Sequence, residues 1–398
     1  MHTPPPSIQF PLGTEGPFYR LQLALRLAAE DRPNVIRRAA AILGITWLPL
    51  ALLSLIQGVP ESSGANHLPA ESLFTHVATY ARFFVTVPLL IIAENAVRPL
   101  LESTLQQAVI REVVPPARQG AFFELLLAAL EWRKSRRAEA VMLCLAYLAA
   151  HLAMAILMTE QHASWMHFGG QLTWAGAWYA YISLPLLQFL IFRWLYRLII
   201  WWRVLYRMSR LGLNIQPAHP DGRGGLAFIG DSIQAFGILA FAFGATASGA
   251  VADFIFNESA PLTELKGFIA GAAIFILLLF VGPLGFFIKP LYEAKDEALP
   301  RYEGLAEKFW QAFDRKWLEA PLARPTADQI AQSDFSALDD LSSVVKAVRE
   351  MKTFPLTHEG LLPLVLAIAI PFLPILFVAF PIQELLSGVL HVFMGRAE

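Results

Sequence analysis

The stretch QFLIFRWLYRLIIWWRVLYRMSRLGLNIQPAHPDGRGGLAFI, from Gln188 to Ile229, decides the fold class. It starts inside an apolar helix and carries five arginines out of it: Arg193, Arg197, Arg203, Arg207 and Arg210. It then breaks at His219-Pro220-Asp221-Gly222-Arg223-Gly224-Gly225, and a second apolar segment follows at once. An apolar helix ending in basic residues, a tight turn and another apolar helix is the pattern of a chain that leaves a bilayer and re-enters it on the same side.

The rest of the chain agrees. Of its 398 residues 56% are hydrophobic and 16% charged, against about 25% charged in soluble domains. The net charge is −1 and no Lys/Arg-rich run interleaves with aromatics on a soluble domain, which sets nucleic acid aside as a partner. Cys144 is the single cysteine, so no disulfide and no thiolate zinc site forms within one chain. No cofactor fingerprint is present: the glycine-rich turn lacks the Gly-Lys-Ser/Thr of a phosphate-binding loop, and no strand precedes it.

Hydropathy predicts an all-α polytopic transmembrane bundle of about seven spans. Residues 1–16 read as a disordered, proline-rich leader and Phe18–Glu30 as an amphipathic surface helix. A membrane domain over 17–288 holds six spans, near Ala39–Gln57, Leu73–Val97, Ala138–Met158, Gly176–Ile200, Ser232–Phe256 and Gly267–Ile288, with helices at 99–137 on one side. Residues 289–356 form an amphipathic helical hairpin. Tyr302, Leu305, Ala306, Phe309, Trp310, Phe313 and Trp317 mark its first helix, and Leu338, Leu341, Val345, Val348 and Met351 its second. Residues 361–393 give a seventh span kinked by Pro363, Pro371 and Pro374, then a surface helix. A re-entrant hairpin is the alternative for that last section.

Lysine and arginine set the orientation. Five precede the first span, and the sections 98–137, 203–223 and 289–352 hold seven, four and ten. The alternate loops 59–72 and 159–175 hold none, and the third holds Lys266 alone. The basic side faces the cytoplasm, which places the N-terminus inside.

Four constellations bear on function. At roughly 100° per residue the five arginines fall within an arc of about 140°, a cationic stripe suited to an anionic lipid head group or solute. Positive-inside anchoring gives the same pattern. Arg82 reads as deep in the second span, where an ionised group is costly unless paired. Asp253 is its expected partner by depth, and Glu94 is expected to pair with Arg193 or Arg197. His151, Gln188, Thr86, Thr246 and Ser248 are polar within spans, a pattern that usually means bonds between helices. The turn of His219, Asp221, Gly224 and Gly225 reads as an elbow with Asp221 or Asp231 capping the next helix, and with an anion contact at Arg223 as the sharper reading. Ala240, Gly244 and Ser248, and Gly267 with Gly271, read as helix-packing faces. Four scattered histidines, His67, His76, His162 and His167, are a weak metal signal.

Several of these segments together resemble a family of uncharacterised bacterial polytopic inner-membrane proteins. They are Arg82-Phe83 through Pro88 to Glu94, Leu184-Pro185-Leu186-Leu187-Gln188-Phe189, His219-Pro220-Asp221 with Gly224-Gly225-Leu226, and Tyr302 through Phe313 to Lys316-Trp317. The resemblance covers about 37–386. It implies an inner-membrane topology and a bacterial origin and carries no activity.

Three function classes follow. A channel or transporter for an anionic solute or lipid is favoured by Arg82, the arginine stripe and the proline-broken seventh span. A non-catalytic scaffold or subunit is favoured by the aromatic hairpin helices, which would dock a membrane partner protein or a second copy. An intramembrane enzyme is the weakest, since no catalytic set can be read.

Overall fold

A computed structural model describes residues 8, 10, 16–27, 34–57, 72–158, 165–168, 171–256, 261–318 and 334–375. Seven helices among them are long and apolar enough to cross a membrane: spans 1 to 7 at Val35–Gln57, Val77–Ile110, Arg136–Ile156, Trp174–Ser209, Ala227–Phe256, Leu262–Trp317 and His358–Ile375. The protein is an integral, multi-pass helical bundle. Helices dominate because a bilayer offers no partner for free backbone groups. One two-residue hairpin pairs His167–Phe168 with Gln171–Leu172.

Burial sorts the spans into two layers. Spans 2, 4 and 5 have 50%, 56% and 61% of their apolar stretch buried, against 22–28% for spans 1, 3, 6 and 7. The inner three form the core, with Phe83, Leu90, Trp194, Trp201 and Leu239 among its most buried side chains. Span 1 packs on span 2, span 3 on span 4, and spans 6 and 7 on span 5. Small residues allow the closest approaches. A Cβ on Gly249 would lie 2.6 Å from the Cβ of Ala81, and one on Gly244 would lie 2.9 Å from the carbonyl of Ile368. The Ala240-Gly244-Ser248 face therefore packs as expected, and Ser248 also donates to the carbonyl of Pro371 (2.6 Å). For the Gly267-Gly271 face, a Cβ on either would meet nothing within 4 Å among the described residues.

Span 6 continues without a loop into the helix Ile288–Trp317, against which Asp334–Glu350 packs as the expected hairpin. The end of the bundle that carries it is called the hairpin end, and the opposite one the far end. Span 7 begins at His358 with Thr357 as its N-cap, and Pro363 and Pro371 lie along it. The surface helix expected beyond residue 380 lies outside the described residues.

Three expectations about the N-terminal half are corrected. Span 2 starts at Val77, after a short turn at Leu73–Thr75, so Arg82 lies only five residues inside it, about 8 Å along the axis, and not deep. Within the segment read as a disordered leader, Phe10 is fully buried. It packs against Trp201 at 6.3 Å, and its N–H donates to Glu102 (2.7 Å). The helix Pro17–Ala24 does not lie free on the surface: Phe18 sets its ring 5.3 Å from Phe189 and gives its N–H to Glu139 (2.9 Å).

Candidate functional site

At the hairpin end, three arginines converge on one carboxylate. Glu94 belongs to the apolar stripe Leu90, Ile91, Glu94, Val97 and Leu101, all buried, so the helix drives it into the bundle. Arg197 donates to its Oε1 (2.7 Å) and Arg193 approaches the same oxygen at 3.5 Å. Arg38 donates to its Oε2. Glu139 at the start of span 3 stands 3.8 Å from Arg193. Arg38, Glu94, Arg193 and Arg197 are each at least nine-tenths buried. The ring of Phe18 lies 4.7 Å from the Arg193 guanidinium, and that of Trp194 4.7 Å from Arg197. Unpaired, each charge would cost several kcal/mol at this depth. Spans 1, 2, 3 and 4 are therefore tied together at one level.

Arg38 and Glu139 are the members that sequence reading missed. The signal was present as periodicity. Arg38, Ile42 and Thr46 recur every four residues and are all buried. An arginine on that stripe faces the bundle even though it sits at the end of a span.

The arginine stripe of span 4 is not one surface. Arg193 and Arg197 fall on the buried face with Leu190, Trp194, Trp201 and Val204, whereas Arg203, Arg207 and Arg210 are exposed. The arc of about 140° straddles the boundary between those faces. Arg203 sits 3.6 Å over the ring of Trp132, and Arg210 4.9 Å from that of Tyr206. Arg203 thus turns to the neighbouring helix Gln119–Arg133 and Arg210 back along its own, so these two do not aim at a common point.

The turn is an elbow with a second duty. Asp221 accepts from the amides of Arg223 (2.8 Å), Gly225 (3.1 Å) and Ala227 (3.1 Å), and so caps the start of span 5. Burial alone would raise its pKa. The amides of Arg223, Ala227 and Gly225 and the neighbouring His219, at 3.0 Å, reverse that and hold the carboxyl below its usual range. The anion contact expected at Arg223 is not what its guanidinium makes: Nε and Nη2 donate to the carbonyl of Leu356 (3.0 and 2.7 Å). Lys352 N–H reaches the carbonyl of Gly222 (2.9 Å), and Asp231 accepts from Thr357 (2.5 Å). The turn thus fastens the strand of chain between the hairpin and span 7. Gly224, at φ +64°, and Gly230, whose Cβ would lie 1.8 Å from the carbonyl of Pro355, are required by that contact.

The other intramembrane pair expected from sequence does not form. Arg82 donates to the hydroxyl of Tyr179 (2.6 Å). Asp253 accepts instead from the amide of Ala78 (3.1 Å) and pairs with His76 (2.9 Å). Depth matched Arg82 to Asp253, but Asp253 engages the first turn of span 2, one turn before Arg82. Of the remaining polar residues, Gln188 has a buried Oε1 without a partner among the described residues, and the others bond within or between helices. Thr86 bonds Thr246 (2.8 Å) and the carbonyl of Ala242 (3.1 Å), and His151 is exposed and bonds the carbonyl of Tyr147 on its own helix (2.7 Å). Among the described residues no group of three metal-ligating side chains comes together.

Spans 2 and 4 share one local design. Each starts after an N-cap (His76, Thr173), and each widens into a π-helical turn (Ala81–Thr86, Tyr179–Ser183). Each resumes as α-helix one residue before a proline, Pro88 or Pro185. The π bonds run from Val87 N–H to Arg82 O and from Leu184 N–H to Tyr179 O. A proline lacks an N–H and its ring crowds the carbonyl four residues back, so the ladder slips by one residue ahead of it. Arg82 and Tyr179 are 97 residues apart. The caps, the prolines and the hydroxyls Thr86 and Ser183 keep the same separation. Both hydroxyls donate to a carbonyl of a neighbouring span, Ala242 and Thr46. The two helices run in the same direction, so this correspondence is a parallel one.

Compared with protein-family models, curated proteins and solved structures, the chain matches none.

Proposed function

We propose that the protein moves an anionic group, a small solute anion or a lipid head group, across a bacterial inner membrane, with the hairpin end and the N-terminus in the cytoplasm. One observation carries this reading: three buried guanidiniums converge on Glu94. A carboxylate tethered there occupies the position that a free carboxylate or phosphate would take, since the guanidinium fork matches both. Displacement of Glu94 by an arriving anion, and its return, would open and close the inner end. The parallel correspondence of spans 2 and 4 supports the reading, because parallel repeats recur among transporters. The lysine and arginine asymmetry supports the orientation. The resemblance seen in the sequence supports the bacterial setting.

The test is flux in proteoliposomes, one set reporting chloride and phosphate and another reporting flipping of a fluorescent phosphatidylglycerol. Wild type moves at least one of them and Arg197→Gln loses it. Wild-type vesicles that move none of the three end the reading.

A second reading, a scaffold, has its own observation. Leu305, Phe309 and Trp310 stay exposed on the helix Ile288–Trp317 after the hairpin has formed. Exposed aromatics on a long helix suit a partner protein or a second copy. Native mass spectrometry in gentle detergent decides it: a partner or dimer lost when Phe309 and Trp310 become serine supports the scaffold, and a monomer without partners removes it.

A further inference from the structure

At the far end, hydrogen-bond donors gather on Arg82, Tyr179 and Trp165. Arg82 Nη1 donates to Tyr179 Oη, so the tyrosine proton is left to be donated elsewhere. A guanidinium carries five N–H groups and no acceptor, and among the described residues Arg82 meets no carboxylate. Trp165 is 4% exposed and its Nε1–H has no partner among the described residues. Its ring stands 5.4 Å from Tyr179 and 5.8 Å from His76. Trp165 also borders a small cavity with Ser54, Gln57, Ser72 and Thr173. Of the carboxylates at this end, Asp253 gives Oδ2 to His76 and the Ala78 amide, while its Oδ1 has no partner among the described residues.

The backbone marks the same place. Arg82 and Tyr179 each open the carbonyl of a π-turn, at equivalent positions of spans 2 and 4. Two π-turns meeting through their side chains is a built arrangement, and such turns concentrate at functional sites. Gly249 lets span 5 close against the back of the first one.

The geometry points to an oxyanion-binding site at the far end, formed by Arg82, Tyr179 and Trp165 and taking a phosphate or carboxylate group. Arg82 supplies charge and a planar fork, while Tyr179 and Trp165 supply single neutral donors. Arg82 lies about 8 Å along the span from its far end, a level reached both by a lipid head group and by a solute from the far compartment. The site is independent of the transport reading, because binding is read without flux.

The experiment uses purified full-length protein in detergent. Native mass spectrometry measures retention of phosphatidylglycerol against phosphatidylcholine, and thermal shift measures stabilisation by inorganic phosphate against chloride. Wild type retains phosphatidylglycerol if the source is a lipid, or is stabilised by phosphate if it is a solute, and Arg82→Gln loses that preference at least tenfold. Tyr179→Phe keeps the ring and Trp165→Phe puts a smaller aromatic ring in place of the indole; each removes one donor, weakening binding roughly fivefold, the worth of one neutral hydrogen bond. They decide the matter if Arg82→Gln fails to fold. Wild type without preference for either probe overturns the site. So does undiminished binding in Arg82→Gln or, where that variant does not fold, in both phenylalanine variants.

Discussion

Arg197 and Arg82 are both carried by the paired inner spans, one near the hairpin end of span 4 and one near the far end of span 2. Arg197 is buried against Glu94 at 2.7 Å with Arg38 and Arg193 beside it. Arg82 is half-buried and bonds a neutral hydroxyl. The first arginine is held by charge and the second by a dipole. A guanidinium neutralised from within is part of the framework unless something displaces its carboxylate, whereas one that meets only a hydroxyl keeps its charge for an outside partner.

The largest effect expected at the hairpin end is that of Glu94→Ala. It leaves three guanidiniums buried without their carboxylate, which costs about 3–5 kcal/mol and is read as thermal unfolding in detergent. Added formate should recover part of the loss in this variant and none in wild type. A cost under about 1 kcal/mol would mean that water already reaches the arginines. Next is Gly230→Ala, whose new methyl meets the carbonyl of Pro355 at 1.8 Å. About 1–3 kcal/mol of overpacking is expected, with faster proteolysis between the hairpin and span 7. Unchanged proteolysis would detach the turn from that segment.

Asp221 gives a smaller effect with a sign. Its folded pKa lies below the unfolded value, so its contribution is full above about pH 4 and fades as pH falls through the lower folded value. Hydrogen exchange at Ala227–Asp231 should quicken on that acid side, and Asp221→Ala should remove the pH dependence while costing about 0.5–2 kcal/mol, the worth of a cap. Arg82→Gln should cost about 1.5–3 kcal/mol at most in lipid-free detergent, since one hydrogen bond between a charged and a neutral group is lost. A loss as large as that of Glu94→Ala would erase the contrast between the two ends. Arg203→Ala is expected to be the mildest, under about 1 kcal/mol from its contact with Trp132, with no change in stability elsewhere.

How much of this was legible in the chain depends on the range of the interaction. The seven spans, the hairpin and the turn were readable, because hydropathy and helical periodicity act over ten to twenty neighbouring residues. The association of Glu94 with Arg193 and Arg197 was half readable, because their depths agree. Arg38 was one of the five basic residues counted before the first span, though its four-residue stripe with Ile42 and Thr46 was there to be read. Pairing Arg82 with Asp253 failed because depth is one coordinate of three, and the rotation of each helix supplies the others.

The sequence by itself determined that this is a helical membrane protein, where its spans lie and which residues break them, since the transfer of apolar helices into lipid depends on composition along the chain. Only the tertiary structure decided which arginines are inside, that two prolines set matching π-turns opposite each other, and that Arg82 faces Tyr179. Those outcomes rest on helix rotation and close packing between segments up to a hundred residues apart, a scale on which no local pattern acts.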